Sequence, residues 1–223
     1  MKVVKFIPSK LQFNNFLKKR LECFDIDYGV IINHMEETIC NCRNRFSLIK
    51  NKYFQDENNI YFRTGHYCQF FIIIYELMRV IFSKNKGDNL LEKLFYLNTT
   101  QSNLDIYYTT ELPKKFFLVH PFGSVVGPRT VFGERSSLII YNNCSLGRNN
   151  QDDHPNIEGD LIMLPNSTIA GNCRIKGKVM LSNGCYLYNP GEIKNKIVFG
   201  RYPHNIYKDI NIYSFNSWNE FIN

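Results

Sequence analysis

Five histidines and seven cysteines are the side chains of this chain best suited to metal binding, nucleophilic attack or proton transfer near neutral pH. The cysteines (Cys23, Cys40, Cys42, Cys68, Cys144, Cys173 and Cys185) are odd in number and scattered, and no Cys-x-x-Cys occurs. Neither a disulfide framework nor a zinc site is therefore indicated, and reduced thiols in a cytoplasmic protein are the expectation. His120 and His154 stand thirty-four positions apart and no His-x4-His exists, so a three-histidine metal centre is not encoded either. An isolated histidine is by default a surface or hydrogen-bonded structural residue, and His34, His66 and His204 are read that way. His120 and His154 differ in their company. One lies in Val119-His120-Pro121-Phe122-Gly123-Ser124-Val125-Val126-Gly127, the other in Asp152-Asp153-His154-Pro155-Asn156-Ile157.

What those segments can do depends on the elements that hold them. After Asp105 an aliphatic residue recurs every six positions: Ile157, Met163, Ile169, Ile175, Leu181, Leu187 and Ile193. Four places after each of the first six stands Leu161, Ser167, Cys173, Val179, Cys185 or Gly191, mostly small, and turn formers such as Pro165-Asn166 and Asn183-Gly184 fill the gaps. An earlier run, Val126, Phe132 and Leu138, slips by two residues before Ile140 and Leu146. Three hexapeptides make one triangular coil of short parallel strands, with the aliphatic residue pointing inward and stacking on its counterpart in the next coil. No coil buries its own face, so several must stack. A β-sandwich would instead alternate every second residue within each strand. Spacing alone does not give the hand of the coil.

The first hundred or so residues follow helical rules. Apolar residues three and four apart mark helices around Leu11–Leu21, Ile31–Ile39 and Tyr67–Ile81, and Lys86-Gly87-Asp88 breaks the third, with Asp88 placed to cap a fourth. The fold expected is α+β: a helical domain over 1–104, a parallel β-helix over 105–208 and a tail over 209–223. Tyr67 to Phe82 is the most hydrophobic stretch, but it is only 16 residues long and holds Gln69, Glu76 and Arg79, so no membrane span is expected. Met1 to Lys10 offers no apolar run long enough for a signal peptide. Apolar residues at 44% and aromatics at 15% exclude a wholly disordered chain. The net charge of +7 is spread, with 17 basic and 12 acidic residues before Phe122's segment, over 1–119, and no basic arm of the kind a nucleic-acid binder carries.

Set on this repeat, the segment Val119–Gly127, then Cys144-Ser145-Leu146-Gly147, then the loop ending Asp152-Asp153-His154-Pro155 resemble the serine acetyltransferase branch of the hexapeptide-repeat acyltransferases. That family carries Asp-His-x-x-Gly-x-Val-x-Gly, a Thr-Leu-Gly-Gly turn and a loop ending Asp-Arg-His-Pro. The similarity runs from about Tyr61 to Lys208, and Arg63-Thr64-Gly65-His66 resembles the family's late N-terminal helix. The resemblance implies a left-handed β-helix, a homotrimer or a dimer of trimers, acetyl-CoA as donor without a metal, and active sites shared between two subunits. It also implies that His120 is the general base and that Asp105, fifteen residues earlier, orients it. His154 corresponds to the second family histidine, which lines the acceptor pocket. Gly147, Ser167 and Cys185 match positions along the pantetheine groove, and Arg201, in a Gly-x-x-Pro near the end, is a candidate for the coenzyme phosphates.

Two departures bear on the acceptor. Val119 stands where the family has an Asp that contacts the amino acid, and Asp153 stands where it has the Arg that holds the serine carboxylate. Both charges that would recognise a zwitterion are missing from those positions. The expected acceptor is then a sugar hydroxyl of a surface polysaccharide or its precursor, with Asp152 and Asp153 meeting hydroxyls and Phe122 stacking on a ring face. A serine O-acetyltransferase with a rewired pocket and a non-catalytic solenoid scaffold are the alternatives.

Overall fold

The computed structural model describes residues 2–86, 89–150, 152–211 and 215–216. The chain divides into two compact units, Met1–Asn103 and Leu104–Asn223. Asp88, the expected cap, and most of the tail beyond 209 lie outside the described residues.

The first unit holds four helices, α1 (Lys10–Glu22), α2 (Tyr28–Phe46), α3 (Tyr67–Lys84) and α4 (Leu90–Ser102). Ser9 caps α1 by accepting the Gln12 N–H at 3.2 Å, and Asp27 caps α2 by accepting the Gly29 N–H at 2.8 Å. α3 is the central helix, buried along nearly its whole length. That is why the most hydrophobic stretch tolerates Glu76: the carboxylate is buried but ion-paired with Arg45 of α2. Among the described residues no helix is long and apolar enough to cross a membrane. The helical periodicity did not disclose a parallel two-stranded ribbon, Val3–Ile7 beside Asn59–Arg63. This ribbon also corrects the reading of Arg63–His66 as helix. Arg63 pairs with Ile7 and gives its N–H to the Gln69 side chain, so the helix starts only at Tyr67.

The second unit is a β-helix of three parallel sheets. Its first face stacks Leu104–Ile106, Ser124–Val126, Ser145–Gly147, Thr168–Ala170 and Tyr186–Tyr188. The second stacks Val131–Phe132, Pro155–Ile157, Cys173–Lys176 and Gly191–Lys194. The third stacks Lys115–Leu118, Ser137–Ile140, Asp160–Met163, Lys178–Leu181 and Lys196–Phe199, and Ile206–Asp209 closes it as an antiparallel strand. The six-residue period becomes interior columns. Val126, Leu146, Ile169 and Leu187 form one, and Phe132, Ile157, Ile175 and Ile193 another. Leu118, Ile140, Met163 and Leu181 form the third. All but Phe132 are buried. At one tight corner Gly159 lies against the Gly177 backbone, where an added Cβ would collide with the Gly177 carbonyl.

Register shows where the chain departs from six. The slip before Ile140 is a two-residue insertion over 133–136, since Ile140 and not Leu138 aligns with Met163. A second insertion of two lies between Leu118 and Ser124, and one of five lies between Gly147 and Pro155.

The columns set a stability test. Ile175→Ala should cost about 2–5 kcal/mol in urea unfolding, because it opens a cavity between Ile157 and Ile193. Ile169→Asp should yield no folded protein by circular dichroism, because it buries a charge lacking a partner. A wild-type melt for either would refute the stacked-column account.

Candidate active site

His120 owes its position to the insertion between Leu118 and Ser124. Val119 gives its N–H to Ile140 O at 2.9 Å, and Phe122 O accepts the Asn143 N–H at 2.9 Å, matching the ladder of the coils below. His120 and Pro121 are thus the two extra residues of an otherwise regular corner, the first exposed and the second buried. The turn closes on itself, with Phe122 N–H bonded to His120 O at 2.9 Å and Ser124 N–H to Pro121 O at 3.2 Å. His120 is exposed and left-handed, with φ 47°. Proline at 121 disfavours the right-handed helical region for the residue before it. Every other non-glycine residue with positive φ among the described residues is Asn or Asp. Holding an imidazole there costs energy of the kind functional sites store.

His154 ends the five-residue insertion after Gly147. Its Nδ1 lies 3.1 Å from Asp152 O. A carbonyl only accepts, so in the neutral ring the proton sits on Nδ1 and Nε2 keeps its lone pair. Asp153 is held inside the same loop: its carboxylate accepts from Asn150 Nδ2 at 2.8 Å and Asn189 Nδ2 at 3.5 Å, and its N–H goes to Asn150 Oδ1. His154 lines an open cleft of about 380 Å³ with Thr109, Glu111, Pro128, Arg129, Thr130, Val131 and Phe132. Neither Arg129 nor Glu111 was singled out in the sequence. Arg129 occupies the slot directly after Gly127-Pro128, and only the stacking of the coils brings it into one cleft with His154.

The two histidines are not neighbours within one chain. His120 sits on the edge where the third face turns into the first, and His154 on the edge where the first turns into the second. Asp105 lies on the strand Leu104–Ile106, exposed and opposite Val125. Its carboxylate makes no hydrogen bond or ion pair among the described residues, so the orienting contact to His120 is not formed here.

The remaining candidates divide by direction. Val119 is half-buried at the foot of the insertion, whereas the Phe122 ring is 42% exposed. Gly147 faces outward with nothing within 4 Å of an added Cβ. Ser167 and Cys185 point into the prism and are fully buried. Burial pushes the Cys185 thiol up to about 11. The N–H of Ser167 goes to Leu164 O and that of Cys185 to Ser182 O, which leaves neither as a donor to a coenzyme. Arg201 is exposed and lies over the Tyr186 ring at 5.7 Å. No group of His, Cys, Asp or Glu able to hold a metal ion occurs among the described residues.

The arrangement of a helical unit followed by this β-helix is the fold of serine acetyltransferases. The chain is similar to the crystal structure of serine acetyltransferase from Brucella abortus strain S19, with TM-score 0.63, 18% identity and coverage of 89% of this chain and 82% of that one. Neisseria gonorrhoeae serine acetyltransferase matches with TM-score 0.65 and 16% identity over 92% of this chain and 81% of that one. The Brucella abortus enzyme in complex with coenzyme A matches with TM-score 0.64 and 18% identity over 88% and 82%. No protein-family model and no curated protein sequence matches the chain.

Proposed function

We propose that the protein is an acetyl-coenzyme A-dependent O-acetyltransferase and that His120 is its general base. The observation that carries this is the left-handed His120 set on a two-residue insertion of an otherwise regular coil, in a fold whose solved examples include coenzyme A complexes. The exposed imidazole takes the proton of an acceptor hydroxyl as that oxygen attacks the thioester carbonyl. The carbon–sulfur bond then breaks, and the imidazolium returns the proton to the departing thiolate. Asp105 supports the imidazolium once the site is closed. His120→Ala should lower turnover by ~10²–10⁴ while leaving coenzyme binding in calorimetry unchanged. Asp105→Asn should cost less, and the double variant scarcely more than His120→Ala, because residues acting as one unit are not additive. Full activity in His120→Ala would remove the assignment.

With His120 and His154 on different edges, one acceptor can meet both only where two subunits adjoin. A homotrimer with shared sites follows from this reading. Mixing unfolded His120→Ala and His154→Ala chains and refolding them together should restore about a quarter of the sites, since each intact site draws one histidine from each variant. No recovery would mean that the sites are not shared.

The acceptor has two readings. Asp153 in place of an arginine, Val119 in place of an aspartate and the exposed Phe122 ring favour a sugar hydroxyl of a polysaccharide or its nucleotide-linked precursor. Arg129 and Glu111 beside His154 favour serine instead, because one cation and one carboxylate in a single cleft can replace the two missing recognition charges. Neighbouring structures include the Neisseria gonorrhoeae enzyme in complex with serine. Thiol release from acetyl-coenzyme A, measured with L-serine and with UDP-N-acetylglucosamine, separates the two. Serine turnover with a KM raised about tenfold or more in Arg129→Met supports the amino-acid reading, and turnover of the sugar alone supports the polysaccharide reading.

A further inference from the structure

We infer that Asn143 is a positioning residue for His120, its amide forming the floor on which the catalytic insertion rests. The inference rests on the general-base reading of His120 and goes one shell outward from it. Four residues stack at this edge in the left-handed region: Gly123 (φ 74°), Asn143 (52°), Asn166 (61°) and Gly184 (69°). Each stands two places before strand residues that pair rung to rung, namely Val125, Ser145, Thr168 and Tyr186. The column therefore runs unbroken beneath the insertion.

Asn143 is the member that meets both residues on which the insertion ends, Phe122 and Gly123. Its N–H bonds Phe122 O at 2.9 Å, and its Oδ1 lies so close to Gly123 that an added Cβ would collide with it. Its Nδ2 reaches Asn166 Oδ1 at 3.2 Å, so the amide cannot swing away without losing the bond to the rung below. Ser124, next in the chain, fixes the far side by giving its hydroxyl to Tyr141 O at 2.7 Å and accepting the Cys144 N–H at 3.0 Å. His120 and Pro121 are surplus to the rung below, and these feet fix the end of the coil from which they leave. A glycine at 123 is required twice over, by its positive φ and by the closeness of the Asn143 amide.

The clean variant is Asn143→Gly, which keeps the left-handed backbone and the bond to Phe122 O and deletes only the amide. Turnover should fall about tenfold with the KM for acetyl-coenzyme A unchanged, because small misplacement of a reacting group acts on the chemical step. Asn143→Asp, of the same shape, should restore most of it, the Asn166 amide turning to donate. Asn195→Gly, the same change on another edge where Asn195 Oδ1 accepts the Lys178 N–H, should leave turnover as in the wild type. A readout free of activity is the imidazole resonance of His120 in histidine-labelled protein, assigned through His120→Gln. It should shift in Asn143→Gly, with the His154 resonance in place. An unmoved His120 resonance in Asn143→Gly overturns the inference. If His120→Ala is fully active but the resonance moves, Asn143 positions His120 and the catalytic reading is what fails.

Discussion

Everything in the second unit follows from one constraint: an aliphatic side chain every six residues must meet its counterpart on the next rung inside a dry prism. Ile169 between Leu146 and Leu187, or Ile175 between Ile157 and Ile193, has no other way out of water, since three short strands cannot cover themselves. Slipping one residue would turn each inward side chain outward and each outward one into the prism. Rungs are therefore locked in register. Any residue beyond six has to leave the coil at a corner, where it disturbs neither the columns nor the ladders above and below.

That is where the two candidate histidines sit. The insertion of two carries His120 and the insertion of five carries His154, while the columns below continue unaltered. Loops hold functional groups in many folds because a rigid scaffold lets them vary without cost to the core. Here the scaffold also fixes their separation. The two corners bound one face and carry one histidine each, and that separation is what the shared-site proposal rests on.

The columns were legible because burial selects side-chain type at fixed spacing, and the three faces follow from counting to eighteen. So were the helices: Phe13, Leu17, Leu21, Ile31 and nearly all of α3 are buried, although Leu11 and Ile32, apolar in the same stripes, stay exposed. The slip before Ile140 was visible as a break in the count, but the extra pair His120-Pro121 was not, because Val119 and Phe122 are as apolar as any rung residue. Only the ladder bonds of those two to Ile140 and Asn143 reveal which residues are surplus. Arg129 and Glu111 were missed for a different reason. They come from a turn and from the segment before Lys115, and their common cleft with His154 is a product of stacking that no local pattern carries. The ribbon of Val3–Ile7 with Asn59–Arg63 pairs residues more than fifty apart and leaves no periodic trace in so short a run. Ser167 and Cys185 were matched by position along the repeat, and it is direction that separates them from the surface: smallness at that slot serves the inside of the corner.

Asp105 shows how far geometry in one chain can go. It lies on the outer surface of the first face, between the two histidine edges, with Ser145, Gly147, Thr168 and Ala170 along the rungs that follow. Those side chains are small or absent, between exposed Val125 on the rung next to Asp105 and Tyr186 and Tyr188 on the last. An exposed carboxylate on such a face is surrounded by water, and its pull on a nearby cation is worth little in that dielectric. Covering the face removes the water and strengthens the same charge severalfold without moving it. On the proposed reading of His120 as general base, Asp105 supports an imidazolium there more strongly with this face covered than in the isolated chain.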